Sequence, residues 1–271
     1  MLKIFRRLRY NVLNTGNTWR YLKYALGEII LVVVGILIAV QINEWNKIRV
    51  RKTLEVSLLD QVKEEILSIQ GDVENDLSVL ELGQESSLTI SRHMSGDKPY
   101  YDELCFDFYF MYKDEYIYPK KAVYEKIKNE GLDIITNDTI NYFLQDLYEA
   151  HFPRISKDNP FKPDIEDYFS DYFNSHFKPN EDLSISFEYN LAHVEIKYPS
   201  TSTTTDGQSM VRTIGYEPID YNALKNDPEF KMLIYKTNEF RQYKIKRYSR
   251  TKEIIDQIIP MIKREVDKLQ H

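Results

Sequence analysis

The residues able to do chemistry in this 271-residue chain are scattered along it. Histidines stand at positions 93, 151, 176, 193 and 271 without a His-x-x-x-His pair, and Cys105 is the single cysteine. Structural zinc needs several such ligands at short paired spacings, so neither a zinc site nor an intramolecular disulfide is expected. The acidic stretches 157–160 and 163–167 lack the spaced oxygen ligands of a calcium loop. No Gly-x-x-x-x-Gly-Lys, Gly-x-Gly-x-x-Gly or Gly-x-Ser-x-Gly occurs, which removes the usual nucleotide and hydrolase signatures. Cys105 would form a nucleophile pair with His151 or His176 only if the fold happened to join them. In a run of aromatics it reads instead as a small buried apolar side chain. No catalytic, cofactor-binding or metal-binding residue is assigned, and no cofactor is expected.

Charge is informative once divided. Residues 1–27 hold Lys3, Arg6, Arg7, Arg9, Arg20 and Lys23 and no acid, whereas the whole chain is −6. A basic head on an acidic body is the pattern of a membrane-surface anchor carrying a soluble domain, and such a body is a poor partner for nucleic acid. The one basic cluster downstream, 241–252, interleaves Arg241, Lys244, Lys246, Arg247, Arg250 and Lys252 with Tyr243 and Tyr248. It reads as a solvated helix face pairing with acidic surface, and as a nucleic-acid site only if that part of the chain is cytoplasmic. The 21 Tyr and 13 Phe suggest thick helical interfaces, with rings buried and hydroxyls wet.

These residues must be positioned by elements that begin at a membrane. Ile29 to Val40 runs without a polar side chain, and the stretch from Tyr24 to Ile42 is broken only by Glu28 and Gln41. Trp19, Tyr21 and Tyr24 on one side and Trp45 on the other form aromatic belts ~39 Å apart on a helix. A transmembrane helix over 19–46 follows. The basic stretch is too long for a cleaved signal peptide, and no Ala-x-Ala site follows Val40. Upstream, residues 1–18 form a basic amphipathic segment, with Lys3, Arg6, Arg7 and Arg9 as candidate membrane-surface residues opposite Leu2, Phe5, Leu8 and Val12. Lys and Arg are more numerous before the span than just after it, which favours a cytoplasmic N-terminus. Gly27, Gly35 and Ala39 lie on one stripe of the span. They are candidates for helix–helix packing in lipid, or simply the small residues common in spans. Glu28 is the candidate intramembrane polar residue, with snorkelling toward Lys23 or Tyr24 as the plainer account.

The segment from Tyr24 to Asn46 (YALGEIILVVVGILIAVQINEWN) resembles the signature of an abundant, uncharacterised family of single-pass membrane proteins from Bacteroidota. Phe5-Arg6-Arg7 and the stretch Tyr124 to Gly131, with Ile135 and Asn137, are similar to that family too. The family usually has Ile at the place of Leu26 and Leu at that of Val40. The resemblance is specific over the first fifty residues and diffuse beyond. It implies a bacterial envelope protein and transfers no catalytic residue.

The rest predicts a mainly α fold: a long membrane-proximal helix over 47–95, then an α-rich soluble domain over 96–271 with a small β-hairpin. Leu58, Val62, Ile66, Ile69, Val73, Leu77 and Leu80 follow an eleven-residue repeat, as do Thr251, Ile255, Ile258, Ile262, Val266 and Leu269. Gly71 and Gly83 weaken the first helix; Asp227 caps the last one, 228–270, and Pro260 kinks it. The matching periods suggest an antiparallel pair, with Leu58 and Val62 beside Ile262 and Val266, the elements 97–226 at or beside its distal end, and Lys263, Arg264 and Lys268 returning toward the membrane. Shorter helices are expected over 118–130, from Asn137 or Asp138 to about Phe152, and over 164–177. Alternation at 183–189 and 194–198 predicts a hairpin turning at 190–192, and 200–209 a mobile loop. The functional expectation is a non-enzymatic envelope protein of the inner membrane, its domain periplasmic, that binds a protein partner or senses a ligand. A self-associating scaffold and an enzyme of unrecognised class are the alternatives.

Overall fold

The computed structural model describes residues 18–157, 164–181, 187–190, 209–212 and 215–271. The fold is mainly α, and the chain divides into two compact units, Met1–Glu55 and Val56–His271. The predicted membrane-proximal helix and the span upstream of it are one uninterrupted helix, α1 (Thr18–Ser95), which contributes residues to both units.

In the first unit α1 is solvent-facing throughout its apolar run, and Trp19 and Trp45 are exposed as well. An 18-residue window has mean hydropathy 2.6 with no part of it buried, so the helix is long and apolar enough to cross a membrane.

In the second unit α1 runs antiparallel to the last helix, α8 (Pro228–Gln270). Gln70 bonds Asp256 at 2.9 Å, Glu74 meets Lys252 at 3.1 Å, Asp76 meets Tyr248 at 2.9 Å and Gly83 meets Arg241 at 3.1 Å. Each step forward along α1 is matched by a step back along α8, and Ile90 and Met94 end in one apolar cluster with Phe230 and Ile234. Carried the other way, the same register brings Val62 level with Ile262 and Leu58 with Val266, and all four are buried.

The eleven-residue repeat holds at one end of this pairing and gives way along the rest. Leu58, Val62 and Ile66, and opposite them Ile258, Ile262 and Val266, keep its consecutive steps of four and are all buried. Further along α8, the buried positions include Phe230, Ile234, Thr237, Arg241, Lys244, Tyr248, Thr251, Ile255 and Ile258, alternating by four and three. Along α1 the same alternation runs Ile66, Ile69, Val73, Asp76, Leu80, Gly83, Ser87, Ile90, Met94. This is the heptad spacing of left-handed helix pairs. Counting apolar residues alone picked half-buried Leu77 and passed over Asp76, because the seam holds polar side chains.

The elements between the long helices are not gathered at one end. Helix α2 (Leu104–Tyr112) is followed by α3 (Ala122–Glu130), which Gly131 ends at φ +96°, and by α4 (Asp138–Gln145). The Asn137 side chain caps α4 by accepting from Thr139 N and Ile140 N. A π-helical turn (Asp146–His151) leads into α5 (Phe152–Ile155). Of these, α3, α4 and the π-helical turn sit against the 65 and 265 levels of the pair, as the Val123–Glu65, Glu65–Tyr148 and Asn137–Glu265 hydrogen bonds show, whereas α5 meets Tyr248 and α2 packs with Phe230. Helix α6 (Ile165–His176), capped by Asp164, packs at the opposite end, with Phe169, Tyr172 and Phe173 around Phe230. Strand β1 (Phe177–Pro179) pairs antiparallel with β4 (Tyr216–Pro218), and β2 (Phe187–Asn190) with β3 (Ser209–Arg212). The predicted hairpin therefore has a different described partner for 187–190, while 194–198 and 200–208 lie outside the described residues. Short α7 (Tyr221–Asn226) precedes α8, which Asp227 caps as expected and which continues through Pro260.

Candidate functional site

The densest chemistry in the described residues lies inside the α1–α8 seam. Three successive core positions of α8 hold Arg241, Lys244 and Tyr248 where a helix pair ordinarily places apolar groups. Arg241 is wholly buried. Its Nη1 donates to the Gly83 carbonyl at 3.1 Å and Ser87 Oγ at 3.2 Å. Its Nη2 donates to the carbonyls of Met111 at 2.7 Å, Lys113 at 2.9 Å and Phe110 at 3.4 Å. The last three sit at the C-terminal end of α2, so the guanidinium caps that helix and meets its negative dipole end. The buried Nε has no hydrogen-bond partner among the described residues, and burial lowers the pKa to about 10, which still leaves the group charged at neutral pH. Gly83 permits the approach: a Cβ there would sit 2.6 Å from Phe110 O and 2.9 Å from Arg241 Cζ.

Lys244 pairs with the fully buried Asp114 at 2.5 Å and donates to the Glu115 carbonyl at 3.1 Å. The other Asp114 oxygen accepts Ile165 N at 2.8 Å, and Glu166 accepts Asp114 N at 3.1 Å and Lys113 Nζ at 3.0 Å. Residues 113–115 thus tie the end of α2, the start of α6 and the middle of α8 together. Tyr248 donates toward Asp76 at 2.9 Å and lies 3.3 Å from the Ile155 carbonyl. Burial, countered by the Tyr248 hydrogen bond, pushes Asp76 up to about 7. The expectation of wet tyrosine hydroxyls fails here. Tyr248, Tyr148, Tyr124 and Tyr172 each donate to a carboxylate, Asp76, Glu65, Glu149 and Asp227 respectively.

The basic cluster 241–252 accordingly splits. Lys246 and Arg250 face out, and Lys252 reaches Glu74 and Asp256, as a solvated face should. Arg241 and Lys244 are core residues instead. Extending the Ile255–Ile258–Ile262 alternation back through Thr251 and Tyr248 reaches both, a signal present in the sequence.

A second feature is an open cleft of about 310 Å³ lined by Ser175, His176, Ile219, Asp220, Ala223, Leu224 and Asp227. Its carboxylates are already helix caps: Asp220 accepts Ala223 N, and Asp227 accepts Glu229 N and the Tyr172 hydroxyl. Ser175 Oγ lies 3.0 Å from the Asp171 carbonyl, 2.9 Å from the Tyr172 carbonyl and 2.9 Å from His176 Nδ1, and the His176 ring stacks on Tyr172 at 3.9 Å. His176 Nδ1 is also 2.9 Å from the Tyr172 carbonyl, so it acts as a base toward the serine only in the tautomer that gives up that carbonyl.

The other sequence candidates are dispersed. Gly27, Gly35 and Ala39 are exposed, and a Cβ at either glycine meets nothing within 4 Å. Glu28 is half-buried. Lys3, Arg6, Arg7 and Arg9 lie outside the described residues, as does His193. His93 bonds the Pro99 carbonyl at 2.9 Å, and His151 meets Asp146 at 3.3 Å. Cys105 is buried as predicted, its thiol pushed up to about 12 by burial. Among the described residues no group of three His, Cys, Asp or Glu is placed to hold a metal. No family model matches the chain, and no curated protein or solved structure does. The arrangement is suited to holding helices in register, with its charged groups spent on one another and on backbone carbonyls.

Proposed function

We propose that this chain is a membrane-anchored, non-enzymatic module whose α-rich domain binds a protein partner or senses a ligand. The observation that carries the anchoring is the apolar window of α1, of which nothing is buried: leaving such a surface in water is costly, and lipid covers it. The commitment of Asp114 and Lys244 to a buried ion pair and the burial of Cys105 support a binding role over a catalytic one. The resemblance of the span to the Bacteroidota envelope family and the basic count before it support a bacterial inner membrane, a cytoplasmic N-terminus and a periplasmic domain. Self-association through Gly27, Gly35 and Ala39 is the second reading, since the three small residues share an exposed stripe that would let helices approach closely in lipid. Nucleic acid is not among the partners proposed.

Affinity purification of the full chain from detergent-solubilised membranes tests the binding reading, which expects a stoichiometric partner. A homo-oligomer alone supports the scaffold instead. Release from membranes by alkaline wash without detergent would sink the anchoring, and a reporter at His271 active only in the cytoplasm would overturn the orientation.

A further inference from the structure

In the second unit Lys63, Lys128, Lys236, Arg250, Lys252 and Lys268 each reach a carboxylate three or four residues away on their own helix. Just past the apolar run of α1, in the first unit, the supply of acids stops. Between Glu44 and Glu55 stand Lys47, Arg49, Arg51 and Lys52, with no Asp or Glu among them. Lys47 turns back to Glu44 at 2.7 Å, whereas Arg49 and Lys52 are exposed and form no ion pair with a described residue. Arg49 and Lys52 share a face with Trp45 and Ile48, at steps of three and four, and those two are 67% and 65% exposed. Within two turns this face passes from an indole, the ring that settles at the edge of the hydrocarbon, to two cations. Arg49 and Lys52 lie ~6 and ~10 Å beyond Trp45 along the axis, and helical side chains lean toward the N-terminus, here back toward the apolar run.

We propose that the Trp45–Ile48–Arg49–Lys52 face is a collar for anionic phospholipid headgroups, a reading that rests on the anchoring of α1 in lipid proposed above. The Arg49 guanidinium presents a planar fork that matches two oxygens of a phosphate diester, and the Lys52 ammonium adds a second positive charge one turn on. Their apolar stems lie along Ile48 and the helix while the charged heads reach the phosphate layer. A soluble phosphate would meet the two cations and leave Trp45 and Ile48 bare in water. A phospholipid covers the apolar and the charged part of the face together. A zwitterionic headgroup carries its own ammonium beside the phosphate, so the collar prefers lipids of net negative charge.

Trp19 and Trp45 are the chain's two tryptophans, so Trp19→Phe leaves Trp45 as the sole indole. The full chain with that change is reconstituted into phosphatidylcholine bilayers containing brominated phosphatidylglycerol or, at equal fraction, brominated phosphatidylcholine, whose bromines quench a neighbouring indole. The quenching gives the relative binding constant of the two lipids beside Trp45. It should favour phosphatidylglycerol about fivefold at low salt, the effect of one basic residue at an anionic surface. The preference should shrink toward unity as the screening length falls from ~30 Å at ~0.01 M salt to ~3 Å at ~1 M. Arg49→Gln combined with Lys52→Gln should bring it near unity at low salt as well. Equal quenching by the two lipids, or a preference undiminished by salt or by the double substitution, overturns the collar and leaves the anchoring intact. Absence of quenching by either lipid overturns the anchoring itself, and the collar falls with it.

Discussion

Alanine at Gly83 sets two physical effects against each other. Helix propensity alone favours Gly→Ala inside a helix by ~1 kcal/mol, and the position is far from either end of α1. The close approach argues the reverse. The new Cβ would lie 2.6 Å from a backbone oxygen and 2.9 Å from Arg241 Nε, so reaching the 3.4 Å of ordinary contact needs a shift of about 0.8 Å. Overpacking of that kind costs ~1–3 kcal/mol, and an Arg241 bond broken to a buried carbonyl adds ~1–3 more. The net expectation for Gly83→Ala is a loss of about 1–5 kcal/mol, or roughly 2–20 °C in Tm for a unit of this size. Gly71→Ala is the control on the same helix: a Cβ there meets nothing within 4 Å, so it should gain ~0.5–1 kcal/mol. Urea unfolding of both variants, full length in one detergent and followed by circular dichroism, reads the two signs. Equal stabilisation of both would refute the close packing of Gly83 against Arg241.

The buried ion pair predicts strong coupling. Asp114→Asn leaves Lys244 without a counter-charge and should cost ~3–5 kcal/mol, much of it recovered in Asp114→Asn with Lys244→Met; additive losses in a double-mutant cycle would refute this. Tyr148→Phe removes the 2.6 Å hydrogen bond to Glu65 and should cost ~1–3 kcal/mol in the same unfolding assay, an unchanged midpoint counting against it. Gly35→Ile should weaken self-association in a transmembrane reporter assay and leave domain stability unchanged, since nothing lies against that position in the monomer. Unchanged association would eliminate the Gly27–Gly35–Ala39 interface.

What the sequence made legible follows from which forces act locally. The apolar run of α1, the Asp227 cap with Pro228, the Asn137 cap and the Gly131 stop are written in adjacent residues, and all are found where expected. The antiparallel pairing was legible from matching stripes, but its period holds only toward Leu58 and Val266 and not in the middle, where Asp76, Gly83, Ser87, Arg241 and Lys244 hold core positions without being apolar. Their burial is sustained by partners distant in sequence: Arg241 is held by carbonyls of Phe110, Met111 and Lys113. Nothing near Arg241 announces them. Helix α2 went unassigned because Leu104–Tyr112 is apolar almost all round and shows no helical stripe. The pairing of 187–190 with 209–212 spans a long connection that alternation cannot reveal.

The guanidinium of Arg241 also bears on the order in which the domain can be finished. The carbonyls at the end of α2 are made about 130 residues before the side chain that satisfies them. During synthesis they must be held by water, and the middle of α1 must lack its partner, until most of α8 has left the ribosome. Every intermediate length short of residue 230 therefore leaves the apolar stripe of α1 from Val62 to Met94 with nothing to cover it from α8. A chain terminated anywhere between 113 and 240 does not yield a smaller stable domain. It yields a long helix with an open seam, and unfolded or open species of that kind are what quality-control proteases remove.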